Sequence, residues 1–305
     1  MVTIRVMMLG GKSYGPHAFV MDFRKDGKLV DGVTIGDMGG KTIGNDLDNA
    51  WIKFDHVKLP KTALLNKYSD IDGDSYVQKV KGVKAFEMIG QRLYTGRAVI
   101  AQSTLVFTRS LFDQTKAYSD SKKCWNPKGT NALSNIPQLE ALYVEADSRL
   151  RRLELLIHKI ENALSQCLSA GTLPSVDLID TVATAKVKCI ETTIELCFRL
   201  KNEVGSYALM AGTGFERLDY LNCCKFAEGD SRILMQKMAR DRMQAFKKKQ
   251  DGAEAEVECC MQLGGALMSS KDPMKAWNES WETVYKLAEL VMQRHMDAWV
   301  PLSKM

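Results

Sequence analysis

A glutamate set between two glycine-marked breaks is the strongest candidate for chemistry in this sequence. Met210-Ala211-Gly212-Thr213-Gly214-Phe215 is followed, after a gap, by Phe226-Ala227-Glu228-Gly229-Asp230-Ser231. Helical patterns flank both segments. The glycine pair predicts the end of one helix, and Asp230 or Ser231 is placed to cap the next. A carboxylate on a loop between packed helices loses water, and a desolvated carboxylate can work as a general base. The alternative is an acid that merely favours a helix start through the macrodipole, and residue types alone favour that alternative.

Other chemistry is sparse. His17, His56, His158 and His295 have no second histidine or carboxylate at metal-ligand spacing, so each reads as structural and no metal is expected. There is no Gly-x-Ser-x-Gly, no P-loop and no Gly-x-Gly-x-x-Gly between a strand and a helix. Gly36-Asp37-Met38-Gly39-Gly40-Lys41 reads as a loop when taken alone. The eight cysteines form no Cys-x-x-Cys pair, and the adjacent pairs 223–224 and 259–260 suit tetrahedral zinc poorly. Met1 to Gly11 reads as a strand closed by glycines rather than a secretory leader. Reduced thiols, mostly small buried side chains, are therefore expected, in an intracellular protein.

The elements that must position Glu228 change character near residue 80. Val2 to Leu9, His17 to Phe23, Leu29 to Ile35 and Asn49 to Leu59 read as four short strands, with a turn at Lys25-Asp26-Gly27-Lys28 and a stop at Pro60. Four strands cannot close a barrel, and their edge needs a cover. Beyond 80 the pattern is helical. Leu139, Leu142, Tyr143, Ala146, Leu150, Leu153, Ile157, Ile160, Leu164 and Cys167 mark one face, with Pro137 at the start and Gly171 past the end. An earlier helix is expected from Val83 to Ser121. One from Ser175 carries Ile179, Val182, Ile190, Ile194, Cys197 and Val204. Shorter ones are expected over Arg232–Lys249 and Pro273–Trp299. The fold class is α+β: a partial β domain at 1–80, an up-and-down helical bundle at 81–250 and a helical extension at 251–305.

Composition agrees with a packed chain. Of 305 residues, 45% are hydrophobic and 26% charged, which excludes general disorder. The net charge of +5 is spread along the chain. Its one dense basic run, Lys247-Lys248-Lys249 beside Arg240 and Arg242, reads as a solvated helix end, so no nucleic-acid partner is expected. The longest apolar runs fall short of the ~20 residues that span a bilayer.

A resemblance sharpens the candidate site. Gly36 to Lys41, Asp48-Asn49, Phe54-Asp55-His56-Val57, Pro60 and Leu64 to Tyr68 resemble the middle β domain of peroxisomal acyl-CoA oxidases, in the acyl-CoA dehydrogenase superfamily. Ser13 to Phe19 fits the strand upstream. Gly96-Arg97, Tyr118-Ser119 and Trp125 follow the first long helix of the family's C-terminal domain. Gly212 to Phe215 and Phe226 to Asp230 resemble its glycine turn and its Glu-Gly segment, so the match runs in order over residues 2–246.

The resemblance implies FAD at a dimer interface, a fatty acyl-CoA substrate, and Glu228 as the base that removes the α-proton. It implies cofactor contacts from Lys122, Trp125, Gly212 and Gly214. Lys122 stands where the family usually has an arginine, which keeps the charge and loses the fork. Cys124 replaces a frequent glutamine, and the 215–226 stretch is short and lacks Ser-Gly-Leu-Pro. Against the family's pattern, the N-terminal helical domain and the first half of the β domain are not matched. Two readings follow: an FAD-dependent acyl-CoA oxidase or dehydrogenase completed by a partner, or an inactive homologue serving as a subunit of a larger assembly. Homo-oligomerisation or a hetero-complex over the β edge is expected on either. Ser303-Lys304-Met305 is close to a Ser-Lys-Leu peroxisomal address.

Overall fold

The computed structural model describes residues 1–80 and 90–302. The expected helix start near Val83 and the Ser303-Lys304-Met305 tail lie outside them. The chain divides into two compact units, Met1–Arg92 and Leu93–Met305.

The first unit is built from antiparallel strand pairs. β1 (Val2–Leu9) pairs with β2 (Lys12–Val20) across Gly10-Gly11, both in left-handed backbone as a two-residue hairpin turn requires. β3 (Arg24–Lys25) pairs with β4 (Lys28–Leu29), and β5 (Val33–Asp37) with β6 (Ala50–Phe54). β7 (Ser69–Asp72) pairs with β8 (Ser75–Gln78). Alternation along the first hairpin buries Met7 and His17, with Met21 just beyond it. The other β1 face leaves Val2, Ile4, Val6 and Met8 about half exposed, with Val20 beside them.

Several strand boundaries differ from the sequence pattern, each for a local reason. Leu29 to Ile35 is interrupted at Gly32, where a Cβ would stand 2.3 Å from the Asp55 carbonyl oxygen. β5 continues through Gly36, expected as loop, because the Trp51 ring crosses directly over that glycine. β6 stops at Phe54 instead of Leu59, as the chain turns through His56 at φ +50°. The β7–β8 hairpin was not anticipated. Its residues are mostly polar, and only Asp72-Gly73 signals the turn.

The second unit is helical. α1 (Gln91–Ser121) leads into a hairpin of β9 (Lys123–Asn126) and β10 (Gly129–Ala132). α2 (Pro137–Ala170) and α3 (Val176–Glu203) follow. α2 buries the predicted stripe from Leu139 to Leu164 except Tyr143, which like Cys167 is half-buried; it adds Leu156 and ends on Gly171 at φ +64°. Ser175 caps α3 by accepting from the Leu178 N–H. α4 (Asp219–Phe226), α5 (Ser231–Lys248), α6 (Glu254–Ser269), α7 (Pro273–Glu279) and α8 (Trp281–Trp299) complete the unit.

α3 is the central element. Val182, Ala185, Cys189, Leu196 and Leu200 belong to a core shared with α1 and α2, while Ala183 and Val187 belong to one shared with α5, α6 and α8. It is buried nearly all round, so no single stripe describes it.

α3 ends at Glu203, before Gly205 at φ +66°, and not at the Gly212/Gly214 pair. α4 and α6 were not foreseen; Gly264-Gly265 weakens the α6 pattern, yet burial of Cys259, Cys260 and Leu263 carries the helix through them. Pro273–Trp299 is two helices, parted at Ser280. The basic run also divides. Lys247 to Lys249 are exposed, but Arg242 is buried and its Nε donates to Glu256 at 2.6 Å. All eight cysteines are free thiols, four of them buried. Among the described residues, no helix is long and apolar enough to cross a membrane, and no group of three His, Cys, Asp or Glu could hold a metal ion.

Candidate functional site

Glu228 lies in a tight link between α4 and α5. Phe226 closes α4, and Asp230 caps α5 by accepting from the N–H groups of Arg232 at 2.7 Å and Ile233 at 3.2 Å. The capping role therefore belongs to Asp230. Glu228 sits at φ +56° and Gly229 at φ +104°. Left-handed backbone at a non-glycine residue costs of order 1 kcal/mol or more and needs support from its surroundings.

That support comes from two buried cations on different helices. Arg97 of α1 donates from Nε to the Glu228 carbonyl oxygen at 2.9 Å. Lys186 of α3 donates to the carbonyl oxygens of Lys225 at 2.7 Å and Gly229 at 2.8 Å, and to Ser231 Oγ at 3.0 Å. Lys186 is completely inaccessible and Arg97 nearly so. Burial pushes the Lys186 ammonium down to about 8, while Asp230 and Glu191 favour its charge and Arg97 opposes it. Burial likewise lowers Arg97 from its ordinary value, and Tyr94 and Glu228 counter the shift.

With its backbone held, Glu228 turns its half-buried carboxyl group onto α1 at Gly96. A Cβ at that glycine would stand 2.5 Å from the carboxylate, so only a residue without a side chain leaves this seat open. The same face of α1 continues two and three turns on to Ser103 and Phe107. There an open cleft of about 430 Å³ is lined by Thr104, Phe107, Arg217, Tyr220, Leu221 and Cys224. A larger cleft, about 760 Å³, lies within the first unit between Phe19, Met21, Phe54 and Leu64; it is lined by His56 and others of the residues that carry the resemblance, and by none of Glu228, Lys122, Trp125, Gly212 and Gly214.

Two of the other singled-out residues lie just past the far end of the same helix. Lys122 follows the last residue of α1, and Trp125 stands on β9 with 80% of its surface exposed. At 1.5 Å per residue, Lys122 is about 39 Å from Gly96 along the helix axis. Gly212 and Gly214 both turn through left-handed backbone. Open space surrounds Gly212, whereas a Cβ at Gly214 would press on Leu111 of α1 at 3.1 Å. Gly214 is thus a packing glycine. The structure brings Glu228 to Gly96 and Arg97, and sets Lys122 and Trp125 at the opposite end of α1. Lys186 was missed in the sequence; its only signal there is a lysine amid Val182, Ala183, Ala185, Val187 and Ile190.

The fold defined by this arrangement is that of part of an acyl-CoA oxidase. No protein-family model matches the chain. Its homologues are acyl-CoA oxidases. Acyl-coenzyme A oxidase 3 of Yarrowia lipolytica is 26% identical over 335 aligned residues, which take in 98% of this chain and 45% of that protein. Peroxisomal acyl-coenzyme A oxidase 1 of Cavia porcellus is 30% identical over 126 residues, 40% of this chain and 17% of that one. Among solved structures, acyl-CoA oxidase 1 of Yarrowia lipolytica aligns with a TM-score of 0.77 at 15% identity, covering 98% of this chain and 52% of its own. Acyl-CoA oxidase 2 of Caenorhabditis elegans, solved with FAD, ascaroside-CoA and ATP, also gives 0.77, at 14% identity and with 98% and 51% covered. The chain spans about half the length of these full-coverage relatives.

Gly96→Ala should raise stability by up to about 1 kcal/mol through helix propensity, since only the mobile end of a side chain has to give way. It should also evict the Glu228 carboxylate, so thermal melting and any Glu228-dependent property move in opposite directions. A second prediction concerns pH. Folded Lys186 releases its proton near 8, and the unfolded chain holds it to about 10.5. Between those values the unfolded state binds more protons, so stability rises with pH. Urea midpoints of the wild type, taken relative to Lys186→Met, should therefore climb from about pH 8 to about pH 10.

Proposed function

We propose that this chain carries the catalytic-base half of an FAD-dependent acyl-CoA oxidising site, with Glu228 removing the α-proton of the acyl-CoA thioester. The observation that carries this reading is the seat of Glu228. A strained glutamate, not needed as a helix cap, is held by two buried cations with its carboxylate against a glycine of α1. A base must be fixed within hydrogen-bond reach of its proton, and this seat fixes it. The cleft at Ser103, Thr104 and Phe107 lies on the same helix face, and its apolar lining suits an acyl chain.

FAD, when bound, would supply the hydride acceptor. The exposed ammonium of Lys122 and the uncovered indole of Trp125 suit its phosphate and its rings, and open backbone at Gly212 suits close approach. Gly214 does not fit such a contact. Residues about 39 Å apart along one helix cannot line one reaction pocket. Glu228 and Lys122 would therefore serve different sites, as in an oligomer whose copies each lend one end of α1. A peroxisomal location is supported by the relatives' names.

The test is direct. The natively purified protein should show a flavin band that bleaches with an acyl-CoA under anaerobic conditions, and Glu228→Gln should lower turnover by about 10²-fold or more. A colourless protein that takes up no FAD would refute the reading.

A second reading, a catalytically inactive subunit of a larger assembly, is favoured by the half-exposed apolar face of Val2, Ile4, Val6 and Met8. On that reading Ile4→Lys with Val6→Lys should shift the native mass toward the monomer while the chain stays folded, with a melting temperature that no longer depends on protein concentration. An unchanged native mass would count against it.

A further inference from the structure

Among the described residues of the helical unit, Lys186 is the one charged side chain with no accessible surface at all. It is an ammonium on a helix whose neighbouring positions are small or apolar. Burying such a group is costly unless every proton finds an acceptor. All three do, and all three acceptors lie in one seven-residue stretch, 225–231. Two are backbone carbonyls, at the last turn of α4 and at Gly229. The third, Ser231 Oγ, opens α5 and itself donates to the Lys225 carbonyl at 3.3 Å. The ammonium thus ties the end of one helix to the start of the next. The loop between them has only Glu228 and its neighbours to adjust.

The consequence is geometric. With the carbonyls of 225 and 229 drawn toward α3 and that of 228 drawn toward Arg97 on α1, successive peptide planes are fixed. From this fixed backbone the Glu228 side chain reaches Gly96. Ser231 Oγ is the side-chain acceptor the ammonium uses on this stretch. The Lys225 side chain turns the other way, to Glu191 at 2.9 Å, and Asp230 is occupied with the α5 N–H groups. We propose that Lys186 is the positioning residue of the site: its ammonium, through three oxygens of residues 225–231, aims the Glu228 carboxylate at Gly96. The functional meaning of that aim rests on the reading of Glu228 as the base. The aim itself does not, and the two can fail separately.

The experiment measures the aim directly on the full chain. In isotope-labelled protein, nuclear Overhauser contacts between the Glu228 γ-protons and the Gly96 α-protons report the seat, and amide hydrogen exchange of 226–230 reports the loop. Both are read well below the melting temperature, so a loss of global stability alone moves neither. In Lys186→Met the contact should vanish and exchange should rise about tenfold or more, in line with one or two charge-assisted hydrogen bonds. Lys225→Met, which cuts only the half-exposed pair with Glu191, should leave both unchanged. If Lys186→Met does not fold, Ser231→Ala decides, since it removes one acceptor of three and should raise the exchange of 226–230 severalfold. A folded Lys186→Met that keeps the contact and the protection overturns the proposal, and so does a Ser231→Ala without effect when that variant has to decide. Glu228→Gln should retain the contact. If it does while the wild type neither binds flavin nor turns over acyl-CoA, the base reading falls and the positioning role stands.

Discussion

The helical unit is organised around a charge that has no water. An ammonium in a packed interior has to bring its own solvation shell, and Lys186 takes that shell from the backbone of the α4–α5 link. The requirement propagates outward. α3 must be covered on every side for Lys186 to be buried, which is why it contributes to two cores at once. α5 must begin at Ser231 so that its hydroxyl is in reach. The link must adopt a left-handed step, because its carbonyls are pulled inward at 225, 228 and 229 by cations on two different helices. A loop that would otherwise be the least constrained part of the bundle becomes fixed backbone.

What the sequence revealed of this, and what it hid, follows from how much of each helix touches water. α2 has one dry face and one wet face, so its buried residues stand out at spacings of three and four, and both its ends carry their usual punctuation. α3 has almost no wet face, so its pattern identifies a helix but not which positions matter. Lys186 was invisible for that reason. Glu228 was visible as an acid on a loop before a helix. Its seat was not, because the pairing of residue 228 with Gly96 is a contact across more than a hundred residues. The first unit shows the same division. The β1–β2 turn is legible in Gly10-Gly11, whereas the extension of β5 through Gly36 depends on Trp51 from the facing strand. Helix ends set by local glycine were misplaced where a nearer glycine, Gly205, acted first.

The length of α1 constrains any functional account. A 31-residue helix is a rigid rod of about 46 Å, and it carries Gly96 and Arg97 near one end and the β9–β10 hairpin at the other. Packing along α2 and α3 keeps its core-facing residues, from Ala98 to Phe112, in a single cluster. A rod of this kind can present two unlike surfaces that never meet within one copy. The carboxylate seat is half-buried between helices. The far end offers an exposed cation and an exposed indole. Partial burial raises the effect of a charge, and exposure suits recognition of something brought from outside.

The strain at Glu228 bears on which of its two roles the structure favours. An acid that served only the α5 dipole would gain from the N–H groups at the start of that helix and would need no left-handed backbone. Asp230 takes those N–H groups, at ordinary cost. At residue 228 a glycine would accept the same φ without penalty and would leave the Arg97 and Lys186 hydrogen bonds intact, since the first is to the residue's carbonyl oxygen and the others lie at its neighbours. A glutamate there adds backbone strain and places a carboxylate beside a glycine of α1, without capping the helix. What it adds to stability is the favourable pull of its charge on the buried Arg97. Beyond that pull, the carboxylate is held where Gly96 of α1 leaves room for it.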